Sequence, residues 1–252
     1  MTINLNEDHL IAIETYEQWA ELRNSEASTT YEVLYSSIFM SHVSERNYQQ
    51  LTNTLRQFES FDIIQKHLTG EKIQKDEFIQ VTGLFINYIA SAIALRDSTR
   101  NMCKDEKFFP KELSEQAASK LQSEIILNSN IKVIEDIRNI ITHQSLIVPA
   151  LSFVVREGKF ESGFSYTIKQ LLTYERLTKT TREHLAKINH GNLYLRPLIE
   201  QYHHATANYQ NWLINEALKK HKKDNQSYWQ VRNKVSAEWG GDLAPAPPLP
   251  KS

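Results

Sequence analysis

Helical periodicity, with almost no glycine to interrupt it, is the feature that most narrows what this chain folds into. Over 75–102 the residues Phe78, Val81, Phe85, Tyr88, Ala92 and Leu95 recur at steps of three and four. That spacing lays an apolar stripe along one side of an α-helix. Leu195, Leu198, Tyr202, Ala205, Tyr209 and Trp212 repeat it over 195–218. Further helices are predicted over 7–24 and over 44–67, where Leu51, Leu55, Phe58 and Phe61 carry the stripe. Another is predicted over 111–127, following Pro110, a residue suited to a first helical turn. Only 7 of the 252 residues are glycine, so the backbone has few easy breaking points. An all-α fold is the expectation.

One region departs from the pattern. Leu146-Ile147-Val148 and Leu151-Ser152-Phe153-Val154-Val155 are β-branched and aromatic, and the polar run Arg156-Glu157-Gly158-Lys159 follows. Beyond it Phe160, Ser162, Phe164 and Tyr166 alternate apolar with polar. These signals predict a β-hairpin over about 146–168.

The length allows one large domain or two small ones. With no internal repeat and no linker, a single mostly helical domain over 1–239 is the simplest organisation. The proline-rich end, 240–252, suits extended polyproline conformation or a solvated tail rather than helix or central strand. Basic and acidic residues nearly cancel, at 29 against 30, so bulk charge announces neither a nucleic acid nor a membrane, while leaving room for a local patch. Cys103 is the single cysteine, which excludes an internal disulfide and suits a reducing compartment. The opening residues lack a signal-peptide pattern, and no apolar run reaches bilayer-spanning length. A soluble, cytoplasmic protein without a membrane partner is therefore expected.

Chemistry gathers in Arg138-Asn139-Ile140-Ile141-Thr142-His143, near the end of a helix predicted over 130–144. At about 100° per residue, Val133, Ile134, Ile137, Ile140 and Ile141 form the core-facing side. Glu135, Asn139 and Thr142 fall opposite, flanked by Arg138 and His143 roughly 140° apart. A permanent cation, an amide and an imidazole thus point away from the chain's own core, toward solvent or a second subunit. Such a set can hold a phosphodiester and move a proton beside it. A purely structural role is the competing reading. Arg138 would then pair with Glu135, three residues earlier, while Asn139 and His143 satisfy the last carbonyls of the helix.

The Arg-Asn-x-x-x-His pattern at a helix end in an all-α chain resembles the signature of the HEPN superfamily. Ile137 before it, His143-Gln144-Ser145-Leu146 after it, the following strands and the earlier Ala92-Ile93-Ala94-Leu95-Arg96-Asp97 resemble an uncharacterised bacterial branch of that superfamily. The likeness spans about 75–215, and its specificity rests on the motif. An Arg-x4-His spacing alone arises by chance about 0.4 times in a chain of this composition, and requiring Asn lowers that to about 0.02–0.03. The resemblance implies a HEPN-like helical bundle with a β-hairpin insertion after the motif helix. It also implies a metal-independent endoribonuclease, with RNA as substrate, no cofactor and no metal. His143 would be the acid/base, Arg138 the phosphate clamp, and Asn139 would orient His143 or the phosphate. Two motifs usually meet at a dimer interface in the family, so a homodimer is implied. The family's toxins and anti-phage effectors suggest an antitoxin or regulatory partner. A non-catalytic HEPN-like module that binds RNA or protein is the alternative. Members extending the motif to His-x-Tyr are modified at that tyrosine. Ser145 stands there in this chain, so that control is in doubt.

Weaker candidates complete the reading. Lys219, Lys220, Lys222 and Lys223, with Tyr228, Trp229 and Arg232, form a basic aromatic segment suited to a phosphate backbone or to base stacking. A solvated helix end, where the dipole favours lysines, is the simpler explanation. His184, His190, His203 and His204 lack the cysteines or ordered carboxylates of a metal site. Cys103, beside Lys104, has no catalytic context.

Overall fold

The computed structural model describes residues 7–71, 74–106, 108–156, 159–188 and 191–239. Ten α-helices and a small antiparallel sheet account for most of them. The proline-rich tail expected over 240–252 lies outside the described residues.

The predicted amphipathic segments appear as α1 (Glu7–Arg23), α2 (Glu26–Phe58), α3 (Phe61–Leu68), α4 (Lys75–Lys104) and α5 (Lys111–Leu121). The helix expected over 44–67 is thus the second half of the much longer α2, a break at Glu59 and Ser60, and α3. Ser25 begins α2, its side chain accepting from the Ser28 amide at 3.3 Å. Glu77 accepts from the Gln74 amide at 2.7 Å where α4 starts. Both bonds occupy amide donors that a helix start leaves without partners. After α5 the chain runs directly into a π-helical turn, Gln122–Ile126, where a simple continuation to residue 127 was expected.

The motif lies on α6 (Ser129–His143), begun by Asn128, whose side chain accepts from the Asn130 amide at 3.0 Å. Its end is closed by the Gln144 and Ser145 amides, which both donate to the Ile140 carbonyl, at 2.8 and 3.0 Å. Pro149, which has no amide donor, then separates the helix from the sheet.

β1 (Ala150–Arg156) and β2 (Lys159–Thr167) pair antiparallel from Ala150↔Ser165 to Arg156↔Lys159. The hairpin expectation holds, shortened at its start: 146–148 is not strand. The sheet adds a strand that the sequence did not announce. β3 (Asn192–Tyr194) pairs with β2 from Ser165↔Tyr194 to Thr167↔Asn192, making β2 the central strand. Two short helices, α7 (Ile168–Leu171) and α8 (Lys179–Ala186), bridge β2 and β3. The chain then continues through α9 (Leu195–Lys220) and α10 (Lys222–Trp239).

α2 packs along α4, and α9 lies against α2, α4 and α6. The main core joins Phe85, Tyr88, Ile134, Ile137, Ile140 and Ile199, with Phe164 and Tyr166 inserted from β2. Phe164 sits edge-on to Phe58 at 5.0 Å and to Phe78 at 5.5 Å, so the sheet is riveted to α2 and α4 by aromatic contacts. A second cluster around Leu34, Met102, Phe109 and Leu213 closes the other end of the bundle.

No uninterrupted apolar run of bilayer-spanning length is expected from the sequence, but α4 meets a looser, averaged criterion. Its most apolar window reaches a mean hydropathy of 1.7, long and apolar enough by composition alone. That window is 44% buried inside the bundle, as the central helix of a packed core would be.

Candidate functional site

Ile131, Val133, Ile134, Ile137 and Ile140 are buried and fix α6 against α8 and α9. That burial decides which way the motif faces. Arg138 and Asn139 are half-buried, and Thr142 and His143 are exposed. The helical arithmetic is met for the motif side chains.

Their partners separate the two sequence readings. Glu135 does not take Arg138. It pairs with Arg96 of α4 at 3.2 Å, and Arg96 also reaches Asp97 at 3.2 Å. Arg138 donates from Nη1 to the Asn139 carboxamide oxygen at 3.0 Å and has no carboxylate partner among the described residues. Asn139 therefore orients Arg138, not His143. The His143 imidazole makes no hydrogen bond or ion pair among the described residues, and neither side chain satisfies the helix-end carbonyls. A guanidinium fixed by a neutral partner keeps most of its five donors and its full charge for an anion.

A depression of about 240 Å³ lies beside Arg138, bounded by Ile86, Ile89 and Ile93 of α4 and by Ile141 and Thr142 of α6. Ile86 is exposed, as are Ile79 two turns earlier and Leu146 and Val148 just past His143. Apolar side chains thus border the polar face on both the α4 side and the chain-exit side.

Sequence reasoning missed Asp136. Its side chain is 4% exposed and accepts from both the amide and the hydroxyl of Thr178, each at 2.8 Å. Thr178 caps α8, so the motif helix is tied to the segment between β2 and α8. Arg182 binds the Leu172, Tyr174 and Leu177 carbonyls of that same segment. A signal existed: Asp136 falls only about 40° from Ile140 on the helical wheel, at the edge of the apolar stripe.

The basic segment sits elsewhere. Ile86, Ile89 and Ile93 near Arg138 belong to the first two thirds of α4. Thr99, further along, bonds Gln210 of α9, and Lys219 lies about 13 Å beyond Gln210 along α9. Lys219, Lys220, Lys222 and Lys223 are exposed at the α9–α10 junction, toward the opposite end of the bundle from His143. Lys219 also pairs with Glu216 at 2.7 Å. The aromatics beside them are not open to bases. Tyr228 is buried and stacked on Tyr31 at 3.8 Å, and Trp229 meets Tyr31 edge-on while Arg232 covers its ring at 5.0 Å. His221, between the lysines, is buried against Phe108 and bonds its carbonyl at 2.7 Å.

His184, His203 and His204 have local partners. His184 bonds Asn130 at 2.9 Å, and His203 stacks on Tyr48 at 3.6 Å while bonding Glu45 at 3.0 Å. His204 lies 3.4 Å from the Asn208 amide, and His190 is outside the described residues. Among the described residues no group of three or more histidine, cysteine or acidic side chains is placed to share a metal ion. Burial pushes the Cys103 thiol up to about 11, away from a reactive thiolate. Compared with family models, with curated proteins and with solved structures, the chain finds no match.

Proposed function

We propose that the protein is a metal-independent endoribonuclease of HEPN type, acting in the cytoplasm as a homodimer. The observation that carries this reading is the state of the Arg138–His143 face: among the described residues the guanidinium is held by Asn139 without a neutralising carboxylate, and His143 is exposed without a hydrogen-bond partner. Both features suit an anionic substrate.

In this reading the ribose 2′-hydroxyl attacks the adjacent phosphorus and the bond to the 5′-oxygen breaks. His143 takes or delivers the proton, and Arg138 stabilises the charge growing on the phosphoryl oxygens. The products are a 2′,3′-cyclic phosphate and a 5′-hydroxyl. Arg138 and His143 flank the polar face of α6 on either side. A second copy related by a twofold axis would bring its own pair across that gap, giving one group to accept the proton and another to donate it. The exposed Ile79, Ile86, Leu146 and Val148 around the face are suited to an apolar seam for such a pairing. A toxin or anti-phage role, with an antitoxin or regulatory partner, belongs to the same proposal.

The test is incubation of wild type and His143→Ala with total RNA and tRNA in EDTA. Cleavage by the wild type alone, with cyclic phosphate ends, is the expected result. Equal cleavage by both proteins overturns the assignment of His143. No cleavage by a well-folded wild-type dimer transfers the function to a non-catalytic module binding RNA or protein.

A further inference from the structure

A cavity of about 490 Å³ opens between α4, α5, the π turn, α6 and α9. Arg138, Asn139 and His143 are not part of it. Its floor is built by Ala117, Tyr209 and Leu213, all buried. Two buried polar residues also reach the floor, Thr99 and Gln210, and they bond each other. The Tyr209 hydroxyl is likewise engaged, donating to the Ala117 carbonyl at 3.2 Å. Leu121, Ile125 and Cys103 form the walls.

The mouth has a different character. Arg96, Arg100, Lys104 and Lys132 gather there against one carboxylate, Glu135, which Arg96 already holds. Arg100, Lys104 and Lys132 have no carboxylate partner among the described residues. Three cations without a carboxylate partner around an apolar hollow give it a positive rim that attracts an anionic head group. The π turn adds an independent observation. It widens the helix where Ile125 and Ile126 line the cavity, and such turns cluster at functional sites.

We propose that this cavity binds an amphiphilic carboxylate, a medium-chain fatty acid being the simplest case. The aliphatic chain fills the hollow and the carboxylate meets Arg100, Lys104 and Lys132. The volume lies within the about 300–1,000 Å³ common to small-molecule sites. A nucleotide fits less well. Its phosphate would suit the mouth, but its base edges would be buried against groups already bonded to one another.

Cys103 is the only cysteine and stands on the cavity wall, so its alkylation by iodoacetamide reports occupancy. Because burial raises the thiol to about 11, the rate is followed in mildly alkaline buffer on the full chain. Decanoate is expected to slow alkylation about tenfold at saturation, and decanol, the same chain without charge, to need about fivefold more for half-protection. Replacing both Arg100→Ala and Lys104→Ala should weaken decanoate by a similar factor. Ala118→Trp, which places a large ring at the exposed mouth, should abolish protection while leaving the circular dichroism unchanged. The proposal is overturned if decanoate gives no protection, if it protects Ala118→Trp equally, or if decanol matches it. Protection by adenosine monophosphate but not by decanoate would also overturn it, assigning a nucleotide in place of a fatty acid.

Discussion

Replacing Asp136 with alanine should loosen the attachment of the motif helix to the rest of the molecule, by an amount that the structure lets one work out. Asp136 accepts two bonds from Thr178, both at 2.8 Å, and its side chain is 4% exposed. A hydrogen bond to a charged group contributes about 1.5–3 kcal/mol net. The Thr178 hydroxyl can turn, since it already meets Thr181 at 3.0 Å, and the amide of this exposed residue can turn to water. The expected loss is therefore about 2–4 kcal/mol, near one amide bond in full and part of the second. For a domain of this size each kcal/mol moves the midpoint by about 2–4 °C, so a drop of about 5–12 °C is expected in thermal denaturation. Asp136→Asn keeps one acceptor oxygen and should lose about half as much. A double-mutant cycle with Thr178→Ala should return a coupling above about 1 kcal/mol. The reasoning is refuted if Asp136→Ala lowers the midpoint by less than about 2 °C, or if the cycle closes with no coupling.

Three further outcomes follow from the same structure. Phe164→Ala empties the junction where β2 meets Phe58 and Phe78 and should cost about 3–5 kcal/mol in urea denaturation. Gly163→Ala should cost more than about 1 kcal/mol in the same assay. Gly163 has φ +142°, and an added Cβ would lie 3.0 Å from Oε1 of the Glu59 carboxylate, whose other oxygen Arg196 holds at 2.7 Å. Burial beside Tyr48 and Tyr88 holds the His203 imidazole below its usual range, with Glu45 at 3.0 Å pulling the other way from a half-exposed position that water screens. The folded state then binds a proton less readily than the unfolded chain. Stability should be full above the usual histidine value of 6.5 and fall as the pH drops through the lower folded value. His203→Phe should flatten that window in denaturation midpoints measured against pH.

The elements legible in the sequence are those whose buried face is apolar. Val81, Phe85, Tyr88, Ala92 and Leu95 of α4 are all buried, so the period and the packing agree. The first half of α2 was not legible because Ser28, Thr30 and Ser37 do much of the burying there. Small hydroxyl residues let α2 approach α4 closely, with Ser37 and Ser98 in contact at 3.2 Å. A hydrophobic pattern carries no trace of such a face. β3 is equally silent, since three residues cannot display a period. The aromatics of α10 were visible, but whether they stack on bases or on Tyr31 depends on α2, some two hundred residues earlier in the chain.

The same distinction governs the candidate site. The order of residues on α6 determines that Arg138 and His143 face outward, because the isoleucines beside them must face in. It does not determine what Arg138 holds. Within α6 alone Glu135 is its natural partner at i, i+3, and that pair would cancel the charge a phosphate needs. Arg96, 39 residues earlier on α4, takes Glu135 instead at 3.2 Å. Asn139 then supplies a neutral acceptor that fixes the guanidinium without neutralising it. The availability of Arg138 for an anion is thus a property of how α4 packs on α6, and a helix carrying the same six residues without Arg96 opposite Glu135 would have lost it.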